Sequence, residues 1–183
     1  RVMSPTVVNF LLFQAGWLVT VISGAGAWFW IGPVFAALVA VRHLDTALRP
    51  SQELYLLLIT CVAGYCWDSV IVAAGVLQFH AGQYSANMAP VWMIALWLLF
   101  ATTLNVSLKW LKGRIALAAL FGAVGGPLAY FGGEKLGAVT IPDPLTAALV
   151  LGASWMVITP VLTLLASRFD GFSAKNTTEL SPC

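Results

Sequence analysis

The chain has 183 residues, of which 60% are hydrophobic and only 9% are charged, and its formal net charge is +2. Soluble domains are about 45–50% apolar and about 25% charged, and a soluble protein of this length could not remove so much apolar surface from water. The composition therefore excludes an ordinary soluble domain. The small net charge, without a basic patch of the phosphate-binding kind, also argues against nucleic acid as a partner.

Six apolar windows predict membrane-spanning helices, because about 20 mostly apolar residues cross the roughly 30 Å hydrocarbon core of a bilayer. Long continuous apolar runs favour helices over the alternating pattern of a membrane barrel. We therefore expect an all-α fold: a polytopic membrane protein whose single domain, residues 1–168, is a bundle of six transmembrane helices. The windows cover residues 6–23, 27–42, 53–78, 90–108, 114–132 and 145–166.

The first window has an alternative interpretation as a cleaved signal peptide. Ala25-Gly26-Ala27 resembles a small-residue cleavage site. The polar side chains of Asn9 and Gln14 within the window and its weak basic start favour a retained helix.

The basic residues predict the orientation of the bundle. If both termini are cytoplasmic, eight of the nine Lys and Arg residues fall on the cytoplasmic side, and only Lys135 falls outside. An excess of Lys and Arg in cytoplasmic segments is the usual determinant of orientation. Both termini are therefore predicted to be cytoplasmic, and the polar residues 169–183 are predicted to form a loose cytoplasmic tail.

Asp68 is the most informative polar residue. It lies well inside the third window, with no basic residue within a turn. A carboxylate at a helix centre costs about 2.5–3.5 kcal/mol on insertion scales, so we expect it to face the bundle interior or a wet cavity. Helical spacing places Gly64 and Tyr65 on roughly the same face. Asp68 is thus a candidate catalytic acid, proton carrier or headgroup contact, with Tyr65 as a candidate ligand contact; the alternative is a hydrogen bond between two helices.

A second polar set lies in the first and fourth windows. Gln14 and Trp17 share a face with Phe10, which predicts one polar group in an aromatic, ligand-binding slot. Asn105 is a further candidate ligand contact. Asn9 and Asn105 both fall near cytoplasmic helix ends and could meet there, or each could bond to water and headgroups.

Glu134 follows a glycine-containing stretch at the outer end of the fifth window and is the second candidate catalytic carboxylate. The alternative is a solvated loop acid or a partner of Lys135. No metal site or cofactor is predicted: the cysteines lack metal-type spacing, and His43 and His80 are expected in loops on opposite sides of the membrane. The serines show no nucleophile motif.

Three stretches resemble one known family. They are Asn9-Phe10 with Phe13-Gln14 and Trp17, the segment 92–108 with its Leu-Phe-Ala-Thr-Thr-Leu-Asn core, and the glycine-rich segment 122–138. Together they are similar to the bacterial inner-membrane family called domain of unknown function 2878, over nearly the whole chain except the tail. The resemblance implies a multi-pass protein of the bacterial inner membrane. It supplies no residue roles.

The resemblance also implies a type of function, because members are often encoded near cyclopropane-fatty-acid-synthase-like methyltransferases and flavin-dependent amine-oxidase-like proteins. We therefore expect an enzyme or enzyme subunit in membrane-lipid (fatty-acyl) modification, with membrane lipid as its partner and membrane or soluble proteins as further partners. The alternatives are a non-catalytic scaffold for soluble partners and a small proton-coupled carrier or flippase. The lack of an internal repeat weighs against the carrier.

Overall fold

The computed structural model describes residues 3–173, and within this range the fold is all-α apart from one pair of two-residue strands. A short 3₁₀ helix, Lys109–Leu111, precedes the fifth α-helix. The elements in chain order are α1 (Pro5–Gly24), α2 (Ile31–Thr46), α3 (Pro50–Ala73), β1 (Gln78–Phe79), α4 (Met93–Leu104), α5 (Ile115–Lys135), β2 (Val139–Thr140) and α6 (Pro144–Arg168).

Four of the helices, α1, α3, α5 and α6, are long and apolar enough to cross a membrane. Large apolar side chains cover the outside of the bundle; Leu38, Val62 and Leu145, for example, are 66%, 66% and 70% exposed. Such a surface is typical of a membrane protein, where lipid covers apolar side chains. The other two helices are shorter. With 12 residues, α4 is about 18 Å long, which is less than the hydrocarbon thickness.

The helices alternate in direction, so their ends form two groups. We call the end that carries β1 and β2 the strand end. The opposite end carries most of the described basic residues, including Arg49, Lys109, Lys112 and Arg114, and we call it the basic end.

The third helix was predicted over residues 53–78, but it begins at Pro50 and ends at Ala73. Its end is set by Gly75, which has a φ of +75°, while the N–H of Val76 donates to the carbonyl of Ile71 at 3.0 Å. This is the Schellman arrangement, in which a left-handed glycine terminates a helix. The prediction was wrong here because it followed hydropathy through Val76 and Leu77 and ignored the glycine.

The same device ends α5, which reaches Lys135 instead of the predicted residue 132. Gly137 has a φ of +79°, and the N–H of Ala138 donates to the carbonyl of Gly133 at 3.0 Å. The two chains that leave α3 and α5 then pair as antiparallel β1 and β2, with Phe79 opposite Val139. This pairing closes the strand end of the bundle.

Two further predicted boundaries were wrong. The second helix covers Ile31–Thr46 rather than residues 27–42, because residues 25–30 form turns, and because the polar His43 is buried and paired, which lets the helix continue past it. The fourth helix covers Met93–Leu104 rather than residues 90–108. Beyond Leu104 the N–H groups of Val106 and Leu108 bond to the carbonyl of Thr103, which turns the chain out of the helix.

The bundle consists of two groups, α1–α4 and the α5–α6 hairpin, and the helices pack more closely within each group than between them. Glycine permits the closest approach in the hairpin. A Cβ added at Gly122 would lie 2.1 Å from the carbonyl oxygen of Trp155, and one at Gly126 would lie 2.2 Å from Trp155 Cγ. These distances show that α5 and α6 pack through a surface of small residues.

The first residues of the predicted tail are packed against the bundle instead of being loose. Residues 169–173, which we call the C-terminal strap, pack across the basic end. The Arg49 N–H donates to the Gly171 carbonyl at 3.0 Å, and Lys112 Nζ lies 2.8 Å from Asp170 Oδ2. The rest of the predicted tail, residues 174–183, lies outside the described residues.

Candidate functional site

An elongated cavity of about 400 Å³ lies between the two helix groups, bounded by α1, α4, α5 and α6. It extends from Ser107 and Leu108 at the basic end to Phe79 and Val139 at the strand end. Ligand sites typically measure about 300–1,000 Å³ and are mostly apolar with a few polar groups. Its wall is rich in aromatic side chains, including Phe13, Trp17, Phe79, Trp97, Phe121 and Trp155.

The cavity opens sideways between α1 and α5. Phe10 on α1 and Phe121 and Leu128 on α5 line it, yet their side chains are 50%, 39% and 64% exposed. Gly125 also lines it, and a Cβ added there would meet no atom within 4 Å. Since the outer surface of these helices is apolar, the opening faces the position that lipid hydrocarbon would occupy.

Asp68 lies outside the cavity and accepts hydrogen bonds from two residues of its wall. It is completely buried, and its Oδ2 accepts a hydrogen bond from Trp97 Nε1 at 2.6 Å. Its Oδ1 accepts a hydrogen bond from the Tyr130 hydroxyl. Trp97 and Tyr130 line the cavity, whereas Asp68 is not among the lining residues. Asp68 is therefore placed to position two side chains of the wall, not to touch a molecule inside it.

The close packing around Asp68 explains the small residue one turn before it. A Cβ added at Gly64 would lie 2.0 Å from the Trp97 ring. The Trp97 ring also stacks on Trp155 of α6, with ring centroids 5.0 Å apart and planes 2° from parallel. Asp68, Trp97 and Trp155 thus connect α3, α4 and α6 through one continuous contact.

Two predicted ligand contacts, Gln14 and Trp17, do line the cavity. Gln14 is exposed at its opening, and its amide makes no hydrogen bond to any residue between 3 and 173. An amide with no partner in a lipid environment is costly, so it is suited to a polar group of a bound molecule.

The other predicted site residues lie elsewhere. The Tyr65 hydroxyl donates to the Ala89 carbonyl at 3.0 Å, away from the cavity wall. Glu134 accepts a hydrogen bond from the backbone N–H of Ile141 at 3.0 Å, which fixes the chain after β2. It forms no ion pair with Lys135 within the described range. The two candidate catalytic carboxylates, Asp68 and Glu134, therefore do not converge on one point.

Asn105 belongs to a buried polar network at the basic end that the sequence analysis missed. At its centre is Glu53, fully buried, whose Oε2 lies 2.8 Å from His43 Nε2. Its Oε1 accepts hydrogen bonds from Asn105 Nδ2 and from the backbone N–H of Gly171, both at 2.7 Å. The network joins α2, α3, the end of α4 and the C-terminal strap. One signal was available: His43 and Glu53 flank the short connector between the second and third windows, so both had to lie at one end of the bundle.

Asn9 does not meet Asn105, and the alternative of bonding to water and headgroups was also wrong, because both side chains are buried and hydrogen-bonded to protein groups. Asn9 Nδ2 donates to the Thr102 carbonyl at 3.0 Å, and its Oδ1 accepts from the Ser107 hydroxyl at 2.6 Å. Asn9 also lines a second cavity, of about 550 Å³, at the basic end beside His43 and Arg42. Since Ser107 lines the first cavity, the Asn9–Ser107 hydrogen bond lies between the two.

The two histidines lie far apart, at opposite ends of the bundle. His43 was expected in a loop but is buried in α2, and His80 lies at the strand end, where its ring bonds to Thr140 Oγ1 at 3.0 Å. Among residues 3–173 no group of three or more His, Cys, Asp or Glu side chains is arranged to hold a metal ion.

Comparison with known proteins gives one match. The family described as "Protein of unknown function (DUF2878)" matches residues 6–161, which include every residue that lines the first cavity. The chain belongs to the DUF2878 family. No curated protein and no solved structure matches it. For this DUF2878 protein, an activity has to be argued from the geometry of the cavity.

Proposed function

We propose that this DUF2878 protein is a multi-pass protein of the bacterial inner membrane that holds an acyl chain of a membrane lipid in its cavity. In this proposal it serves as a subunit, or as the enzyme itself, in membrane-lipid modification. Six helices span or enter the bilayer, and both termini lie in the cytoplasm. The observation that carries the proposal is the apolar cavity that opens sideways between α1 and α5.

The shape and lining of the cavity support an acyl chain as its occupant. On α5 the wall extends from Phe121 to Gly133, about 18 Å along the helix axis at 1.5 Å per residue. The wall is mostly apolar along this length, and a chain could enter from the bilayer without crossing water. Apolar contact with the rings supplies the affinity, at about 0.8 kcal/mol per buried CH₂ group.

The polar groups of the wall favour a subunit that presents the chain over an enzyme that acts alone. Gln14 and the Tyr130 hydroxyl are polar groups of the wall, but Tyr130 already donates to Asp68. General acid–base catalysis needs a titratable group within hydrogen-bond reach of the reacting atom. Asp68 lies behind the wall, so the chemistry falls to a partner protein in this proposal.

A cavity-filling variant tests the proposal. Gly125→Leu places a side chain in the open space of the cavity, and the matched control is Val124→Leu, one residue away, at a position that is 53% exposed and outside the wall. Native mass spectrometry of the purified protein should find lipid bound to the wild type and to Val124→Leu, and little bound to Gly125→Leu. Equal lipid occupancy in all three proteins would contradict the proposal.

The same variants test the role in cells. Deletion of the gene should change the acyl-chain composition of total membrane lipid, measured by mass spectrometry of the fatty-acid methyl esters. Val124→Leu should restore the composition, and Gly125→Leu should not. An unchanged composition in the deletion strain would favour the scaffold alternative, in which the basic segment Lys109 to Arg114 holds a soluble partner.

A further inference from the structure

We infer that the lipid in the cavity is an anionic phospholipid of the leaflet at the basic end, with its phosphate bound by Lys109 and Arg114. This inference rests on the proposed function, because it requires that a lipid chain occupies the cavity. It adds the class of headgroup and the leaflet from which the lipid comes.

The first argument is the position of the basic residues relative to the cavity. Ser107 and Leu108 are part of its wall, and the next residue along the chain is Lys109. Arg114 lies just before α5, whose residue Phe121 also lines the cavity. A lipid whose chain lies in the cavity would therefore have its headgroup beside these two cations.

The second argument is that these two cations have no acidic partner in the described part of the chain. Lys109 and Arg114 are both exposed, and neither forms an ion pair, whereas the neighbouring Lys112 is paired with Asp170. Exposed cations near a bilayer attract anionic headgroups, at about 1 kcal/mol for each Lys or Arg. Two such contacts correspond to a preference on the order of 30-fold over a zwitterionic headgroup.

The position of Trp110 indicates how deep the segment 109–114 lies in the bilayer. Its ring packs edge-to-face on Phe121, with centroids 6.0 Å apart and planes at 89°, and its side chain is 45% exposed. Tryptophan prefers the level of the headgroups, where its ring is apolar on one side and its N–H is wet on the other. The cations on both sides of Trp110 are then at phosphate level, at the end of the cavity.

The opposite end does not offer an equivalent site. There the β1–β2 pair closes the bundle, and Phe79 packs edge-to-face on the buried Trp92 at 5.4 Å. Among residues 3–173, the charged side chains near that end are two acids and one lysine, Glu134, Asp143 and Lys135. Charge complementarity therefore favours an anionic headgroup at the basic end only.

Quenching of tryptophan fluorescence by brominated lipids tests the inference, because Trp17, Trp97 and Trp155 line the cavity. The full chain is reconstituted in vesicles of mixed phosphatidylglycerol and phosphatidylcholine, with bromine on the chains of one lipid or of the other. At equal mole fraction, brominated phosphatidylglycerol should quench more strongly. This preference should decrease at high salt, which screens exposed charges.

The variant that tests the site is Lys109→Gln/Arg114→Gln, which should reduce the preference for phosphatidylglycerol to near one. The matched control, Arg42→Gln/Arg168→Gln, removes the same charge from the same end, on α2, which contributes no residue to this cavity wall, and at the end of α6, beyond its last lining residue, Thr159. It should retain the preference. Equal quenching by the two lipids in the wild type, or equal loss in both double variants, would overturn the inference.

Gly125→Leu separates this outcome from a failure of the proposed function. If Gly125→Leu reduces quenching by both lipids while the wild type shows no preference, a chain occupies the cavity and only the headgroup assignment is wrong. If Gly125→Leu changes neither signal, no chain occupies the cavity, and both the proposed function and the headgroup assignment are wrong.

Discussion

The carboxylate of Asp68 on α3 accepts a hydrogen bond from the indole nitrogen of Trp97 on α4, at 2.6 Å and across 29 residues of chain. The same carboxylate accepts from Tyr130 on α5, 62 residues away. One acid thus connects the α1–α4 group to the α5–α6 hairpin and sets the position of two rings in the cavity wall.

Replacement of Asp68 should lower stability in proportion to the donors that it leaves unpaired. Asp68→Leu leaves the Trp97 and Tyr130 donors buried without an acceptor, at about 1–3 kcal/mol each, while Asp68→Asn keeps one acceptor oxygen and should lose less. The unfolding temperature in detergent should decrease in the order wild type, Asp68→Asn, Asp68→Leu.

A double-mutant cycle that combines Tyr130→Phe with Asp68→Asn isolates the interaction free energy of this pair. Additive effects would show that the two side chains are not coupled.

The glycines of α5 should differ sharply in their tolerance of alanine. Gly122→Ala and Gly126→Ala insert a methyl group against Trp155 and should each lower stability by about 1–3 kcal/mol through overpacking. Gly125→Ala, on the same helix but in open space, should leave the unfolding temperature unchanged or slightly raised. Thermal unfolding of the three purified variants checks this, and equal effects would contradict the close approach of α5 and α6.

Replacement of Gly171 by alanine should displace the C-terminal strap from the bundle. A Cβ there would lie 2.6 Å from Glu53 Cγ and 2.7 Å from the Arg49 carbonyl, so Gly171→Ala should displace the strap and break the hydrogen bond from its N–H to Glu53. Limited proteolysis should then cleave near residues 169–173 faster than in the wild type. Gly152→Ala is the matched control, since its nearest contact is an ordinary 3.5 Å; equal cleavage of both variants would argue against the clash.

Loss of the buried Glu53 carboxylate should be more severe. Glu53→Leu removes the partner of the His43 ring and the acceptor of the Gly171 N–H, and it leaves Asn105 with only the Phe169 carbonyl as acceptor. Each buried polar group left unpaired typically costs about 1–3 kcal/mol. Glu53→Gln keeps an acceptor oxygen and should unfold at an intermediate temperature. An unfolding temperature for Glu53→Leu within error of the wild type would show that the network does not stabilise the basic end.

The strap should also respond to acid. Partial burial raises the pKa of Asp170, but hydrogen bonds from Lys112, Ser173 and two backbone N–H groups outweigh it and lower this pKa from 3.8 to about 2. Because the folded pKa is lower than the unfolded one, the stabilisation is complete above about pH 4 and is lost as the pH falls towards 2. Unfolding temperatures across this interval should fall less steeply for Asp170→Asn than for the wild type, and parallel curves would contradict the assignment.

The basic residues predict which end of the bundle is cytoplasmic, and labelling can test this in a variant without native cysteines. A cysteine in place of Lys135 should react with an impermeant maleimide on intact cells. A cysteine in place of Arg114 should react only after the membrane is permeabilised, because Lys and Arg remain on the cytoplasmic side. Labelling of the Arg114→Cys variant from outside would invert the proposed orientation and the leaflet that supplies the lipid.

Hydropathy along the chain predicted much of the fold. It failed where a glycine ended a helix or where a contact between distant residues decided the structure. Hydropathy located all six α-helices of the described range within a few residues. It extended the third helix too far because Val76 and Leu77 are apolar, although Gly75 had already ended the helix. It also placed His43 in a loop, since nothing near His43 in the chain shows that Glu53 would pair with it.

The candidate site was predictable only where its residues belong to one helix. Gln14 and Trp17 share a face of α1, and both line the cavity. The hydrogen-bond partners of Asp68 lie on two other helices. Helical spacing could therefore predict that Asp68 faces inward, but not that Trp97 and Tyr130 would donate hydrogen bonds to it. The sideways opening depends on how loosely two helix groups pack, and no local pattern contains that information.

Gly75 and Gly137, two of the glycines with a positive φ, have a consequence for how a molecule enters and leaves the cavity. Each ends its own helix through hydrogen bonds within one or two turns, so local contacts set the points at which the chain leaves α3 and α5 for β1 and β2. We therefore expect the empty and the loaded protein to share the same sealed end. In the proposed function, loading and unloading would then take place through the side opening and not past this end, so the two ends of the bundle would differ in their access to lipid.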